Sequence, residues 1–85
     1  MIGSERQRKV LAVAAIMFGI SVADIIGERK FELLVKARIY VAVRLRSEFA
    51  MSMPQIGRML GGRDHTTILY LLRRAHGLDR HGRPK

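Results

Sequence analysis

Apolar residues recur along this chain in blocks at helical spacing, separated by short polar or glycine-containing stretches. The first block places Val10, Leu11, Ala14, Met17 and Phe18 on one helix face. Ser4 and Gln7 have the spacing of a capping box, and Gly19 is a natural C-terminal stop, which predicts a helix over residues 5–18. Ser21 opens a very short helix over 22–26, ended by Gly27. The polar stretch Glu28-Arg29-Lys30 leads into the longest predicted helix, about 31–49. On it Leu34, Val35, Ile39, Ala42, Leu45 and Phe49 cluster on one arc. Ser52 and Gln55 repeat the capping-box spacing with Pro54 in the first turn, so a fourth helix runs over 53–60, with Ile56, Met59 and Leu60 apolar. Gly61-Gly62 breaks it. Asp64 is a suitable N-cap for a fifth helix over 65–75, which Gly77 ends and on which Ile68, Leu71, Leu72 and Ala75 share the inward face. No segment alternates with the period of a strand. The expected fold is all-α: one domain of about five helices over residues 1–77, followed by a flexible basic tail over 78–85.

Composition narrows the class of partner. The 85 residues hold one modest core, and the 48% hydrophobic content is that of a folded domain. The absence of cysteine removes disulfide scaffolds, thiolate metal sites and thiol nucleophiles, and it fits a reducing cytoplasm. Sixteen Lys and Arg against seven acids give a net charge of +9. A small basic domain rich in Arg has nucleic acid as its natural partner, because the forked guanidinium suits phosphate and guanine edges. Membrane is the competing partner. The longest apolar run, residues 10–20, is short of the roughly 20 residues a span needs, and the several amphipathic helices need one another's apolar faces. Arg6, Arg8 and Lys9 ahead of that run imitate a signal peptide, but cleavage there would remove about a quarter of a small core.

Two short helices joined by a glycine turn, the second polar at its start, form a helix-turn-helix pattern. The outward face of the fifth helix carries Thr66, Tyr70 and Arg73, flanked by Thr67 and Arg74, with His65 at the edge of the first turn. A helix in the major groove uses its N-terminal residues on base edges. Thr supplies a hydroxyl and a methyl, and His a donor or an acceptor. Each residue also has a structural reading. Asp64 serves as an N-cap, Thr66 and Thr67 as solvated first-turn residues, and Arg73 and Arg74 as C-terminal charges that oppose the helix dipole. In the long helix Arg38 falls inside the apolar arc and Arg46 beside it. Either both snorkel outward along their stems, or that end of the face borders a phosphate. Asp64-His65 has no second acid–His cluster and no nucleophile beside it, so no catalytic or metal site is expected. Gly61-Gly62-Arg63 lacks the spacing and lysine of a phosphate-binding P-loop. No cofactor and no nucleotide is implied.

The run Gly61-Gly62-Arg63-Asp64-His65-Thr66-Thr67-Ile68-Leu69 resembles the signature of the C-terminal DNA-binding domain (domain IV) of the DnaA family of bacterial replication initiators. Val22-Ala23-Asp24-Ile25-Ile26 resembles that family's short second helix, Arg38 with residues 41–45 its long helix, and Ser52-Met53-Pro54-Gln55-Ile56-Gly57 the start of its helix-turn-helix. The resemblance covers about residues 10–74. It implies a Trp-repressor-like helix-turn-helix that binds double-stranded DNA at DnaA-box-like elements.

Carried over by position, it implies that Asp64, His65, Thr66 and Thr67 read the major groove. Lys30 takes the place of a minor-groove arginine. Arg38, Arg46 and the backbone around Met53 and Pro54 match phosphate-contact positions, and Arg63 opens the signature. Glu32 stands where the family is commonly basic, and Ile39 replaces a polar residue, so weaker preference is expected at the A·T end of the site. The chain contains no Walker A loop. The expectation is a free-standing, non-enzymatic reader, cytoplasmic and nucleoid-associated, with a monomer favoured. It would regulate replication or transcription by competing with the initiator. A module of the same fold that has turned to protein interaction is the alternative, favoured by Glu28 and Glu32.

Overall fold

The structure is a computed structural model that describes residues 3–77. The expected basic tail at 78–85 lies outside the described residues. The described residues form five helices in order: α1 (Glu5–Phe18), α2 (Val22–Ile26), α3 (Glu32–Phe49), α4 (Met53–Met59) and α5 (His65–Ala75). All-α architecture is therefore observed, with helix ends within one residue of those expected from the sequence.

Local chemistry explains the boundaries. Ser4 with Gln7, Ser21 with Asp24 and Ser52 with Gln55 each form a reciprocal capping box that satisfies orphan N–H groups of the first turn. The Ser21 contacts hold the Asp24 carboxyl below its ordinary range, its backbone N–H acting most strongly. Gly19 ends α1 in the left-handed conformation. Gly27 ends α2 differently, in extended backbone, and its carbonyl is taken by side chains of other elements. Phe31 precedes α3 without a side-chain cap, and Ala50 closes that helix at φ 51.

The long helix α3 is the centre of the packing. α1 lies against one side of it and α5 against another, α4 packs on α5, and α2 bridges α1 and α3. Val10, Leu11 and Ala14 of α1 meet Ala37, Val41, Ala42 and Leu45 of α3. Ile56, Met59 and Leu60 with Ile68 and Leu71 complete the core. Compared with the sequence pattern, the buried arc of α3 is turned toward Ala37 and Val41, leaving Val35, Ile39 and Phe49 half-buried. Two expected core residues face out. Met17 is exposed because α1 has only one packed face, and Ala75 because the last turn of α5 runs past the core.

The turn between α4 and α5 is set by backbone proximity. Gly57 lies so close to the Arg63 carbonyl that any Cβ would collide with it, and its own carbonyl accepts the N–H groups of Gly62 and Arg63 at 2.9 Å each. Gly61, at φ +79, presses on the Ile26 carbonyl of α2, where again a Cβ would collide. These two glycines bring the turn before α5 back against the end of α2.

Candidate nucleic-acid interface

The first turn of α5 projects from the body of the domain. Asp64 adopts extended backbone, and its Oδ1 accepts the Thr66 N–H at 3.2 Å, the N-cap bond expected from its sequence position. The same oxygen lies 2.9 Å from His65 Nδ1. That contact is met by an Nδ1–H donor, and Nε2 is the ring's other polar atom. His65, Thr66 and Thr67 are all exposed, while Ile68 and Leu71 on the other face are buried. The helix thus presents a polar, pre-oriented first turn on an anchored apolar base. Tyr70 and Arg73 follow on the flank, both half-buried.

Beside this turn is an open concavity of about 750 Å³ that joins segments distant in sequence. Lys30 and Glu32 from the loop, Val35 and Arg38 from α3, Arg63 from the turn, and Thr66, Thr67, Tyr70, Leu71 and Arg74 from α5 line it. Four of these are cations and one is an acid, so the hollow favours anions. Lys30 is exposed at this site.

Arg38 departs from the first of its two sequence readings. It does not snorkel out, since only 2% of it is exposed. Its Nε donates to the Ile25 carbonyl at 2.7 Å, and its Nη2 donates to the Asp24 and Gly27 carbonyls at 3.0 Å each. These are the orphan carbonyls at the C-terminal end of α2, so Arg38 acts as a buried C-cap supplied by another helix. Arg63 joins it, with Nη1 donating to the Leu60 carbonyl at 2.6 Å and Nη2 to the Gly27 carbonyl at 2.5 Å. Burial pulls both guanidinium groups below their ordinary range, and the charge of Arg63 adds to the effect on Arg38. Both stay cationic. In this arrangement they hold α2, the loop and the helix-turn-helix in one unit, and Arg38 turns only its remaining edge toward the concavity.

The other candidates lie apart from the hollow. Arg46 is exposed, and its Nη1 donates to the Met51 carbonyl at 2.8 Å, which places a cation near the start of α4. There Pro54 is exposed and Met53 half-buried. Sequence reading missed the pairing of Arg74 with Glu32. Arg74 Nη2 donates to Glu32 Oε1 at 2.7 Å, although the two residues are 42 positions apart. No group of three or more His, Cys, Asp or Glu among the described residues could hold a metal ion. No described helix is long and apolar enough to cross a membrane.

Comparison with known proteins matches the sequence to a family. The family described as "Bacterial dnaA protein helix-turn-helix" matches residues 7–74. Among curated relatives, the chromosomal replication initiator protein DnaA of Xanthobacter autotrophicus is 38% identical over 69 residues, covering 81% of this chain and 14% of that protein. The chromosomal replication initiator protein DnaA of Rhodopseudomonas palustris is 35% identical over 66 residues, covering 78% of this chain and 14% of that protein. The chain therefore spans about one seventh of the length of these relatives. No solved structure matches it. With an exposed polar turn on α5, a cationic hollow beside it and a match over nearly all the described residues, the chain belongs to the helix-turn-helix family of bacterial DnaA proteins, a DNA-binding family.

Proposed function

We propose that this domain reads duplex DNA at DnaA-box-like elements and regulates replication initiation or transcription by occupying sites that an initiator also uses. The observation that carries this reading is the first turn of α5. There Asp64 caps the helix and steadies His65, while His65, Thr66 and Thr67 remain exposed. In the major groove, the Thr66 and Thr67 methyls suit thymine, their hydroxyls suit either edge of a base pair, and the second Asp64 oxygen can accept from cytosine N4. Lys30 reaches for the adjacent minor groove, where a narrow A·T tract concentrates negative potential. Arg46, the backbone around Met53 and Pro54, and the Tyr70–Arg73 flank of α5 lie against phosphates. Arg38 and Arg63 contribute by holding α2 and the loop in register with the reading helix.

Competition with an initiator follows from a reader that occupies the same elements, and such a protein would reside with the nucleoid. The test is selection from a randomised duplex pool at one stated salt concentration, followed by sequencing. DnaA-box-like elements should be enriched, with information strongest under the α5 turn and weaker at the A·T end that Lys30 serves. A bound pool with the base composition of the input would refute sequence-specific reading.

A further inference from the structure

The Glu32–Arg74 pair sits in the hollow that separates the α5 turn from the Lys30 loop. A strand running from a groove read by α5 to a groove read by the loop must lay its backbone across this hollow. Arg74 is well placed to meet it. Its guanidinium lies 6.0 Å from the centre of the Tyr70 ring, which steadies it, and its side chain is only 19% exposed. Glu32 opens α3 and is 59% exposed, so it is the more solvent-accessible partner of the two. Carboxylate and phosphate seek the same N–H donors of a guanidinium, and a half-exposed ion pair is weak enough to exchange.

We propose that Arg74 is a subsite for a backbone phosphate of the bound duplex, and that in the free protein the Glu32 carboxylate occupies it as an internal stand-in. Glu32 thereby lowers affinity for all duplexes alike without touching sequence preference. Binding exchanges one anion for another on Arg74 and leaves a carboxylate beside the DNA. This deepens the proposed function and rests on it, because it requires the duplex to cross the hollow.

The test uses the full chain and fluorescence anisotropy across a salt series, on a DnaA-box duplex and on a scrambled duplex of equal length. Glu32→Gln should tighten binding to both duplexes by roughly fivefold and steepen the dependence of log K on log salt by about 1. Glu32→Asp keeps the charge but shortens the arm, so it should also tighten binding, to a smaller degree. In an Arg74→Ala background the gain from Glu32→Gln should shrink to about twofold or less, since there is then no guanidinium to release. Circular dichroism and thermal melting establish that each variant folds. An equal gain from Glu32→Gln with and without Arg74, no gain from either Glu32 variant, or weaker binding on loss of the carboxylate would each overturn the subsite. The scrambled duplex separates this result from the reading above. A phosphate subsite acts there too, whereas loss of preference between the two duplexes speaks only against box recognition.

Discussion

The first turn of α5 and the α2–α3 junction both carry polar side chains and use them in opposite directions. At α5, the bonds of Asp64 to the Thr66 N–H and to His65 are local, and the turn faces solvent. At the junction, Arg38 is buried and Arg63 half-buried, and each bonds carbonyls at the end of α2, 11 or more residues away in sequence. In the function proposed above, the α5 turn is the reader and the junction is its mount. A cation at a position typical of phosphate contact is thus assigned by where its donors go. Buried carbonyls at a helix end are unmet acceptors, and in a small domain a guanidinium with five donors can satisfy several of them at once.

The largest effect separating the two regions is expected at Arg38. Arg38→Ala removes donors from the Ile25, Asp24 and Gly27 carbonyls and empties a buried stem. It should cost about 3 kcal/mol of stability, on the order of 15 °C in melting temperature. Arg38→Lys keeps the charge but cannot span three carbonyls, so it should recover little of that loss. Urea and thermal unfolding measure both. If Arg38→Ala melts within a few degrees of the parent, while DNA binding weakens and its salt dependence falls, Arg38 is a ligand and the division drawn above fails.

How far the sequence discloses this division depends on the range of each interaction. The helix ends were legible because caps are local. Ser4, Ser21, Ser52 and Asp64 each act within three residues, and the structure shows all four bonds. The exposed α5 turn was legible too, from a strong amphipathic contrast between Ile68 and Leu71 on one face and Thr66 and Thr67 on the other. Arg38 was only half legible. Its place inside the apolar arc was visible in the sequence, but its acceptors lie 11 to 14 residues back, on a helix whose placement periodicity does not encode. The Glu32–Arg74 pair, 42 residues apart, carried no pattern signal. The resemblance implied that the charge of Glu32 is unusual at its position, but not what it touches.

A smaller effect on folding and a larger one on recognition are expected at the α5 turn. The N-cap bond uses the backbone N–H of Thr66, so Thr66→Ala leaves it in place. His65→Ala and Thr66→Ala should therefore change stability by no more than about 0.5 kcal/mol. Each should weaken binding to the selected site by about 1–3 kcal/mol and leave random duplex nearly unaffected. Binding curves on the two duplexes at one salt concentration decide the matter. If both variants bind both duplexes as the parent does, the exposed turn is not the reader.

Arg46 belongs to both regions in part, and the smallest effects are expected there. Its Nη1 holds the Met51 carbonyl between α3 and α4, as Arg38 holds carbonyls of α2, yet the side chain is exposed and the rest of the guanidinium faces solvent. A single bond at an exposed site contributes less than three in the interior, so Arg46→Ala should destabilise the fold by no more than about 1 kcal/mol. The lost charge should lower the salt slope by about 1 and weaken specific and random duplexes by the same factor. Arg46→Lys separates the two roles, because an ammonium preserves the charge near a phosphate but not the reach and geometry of the guanidinium. It should restore most of the salt slope while recovering little of the stability. A salt slope unchanged by Arg46→Ala, with the fold intact, would assign Arg46 wholly to the mount and leave phosphate contact to the other cations of this face.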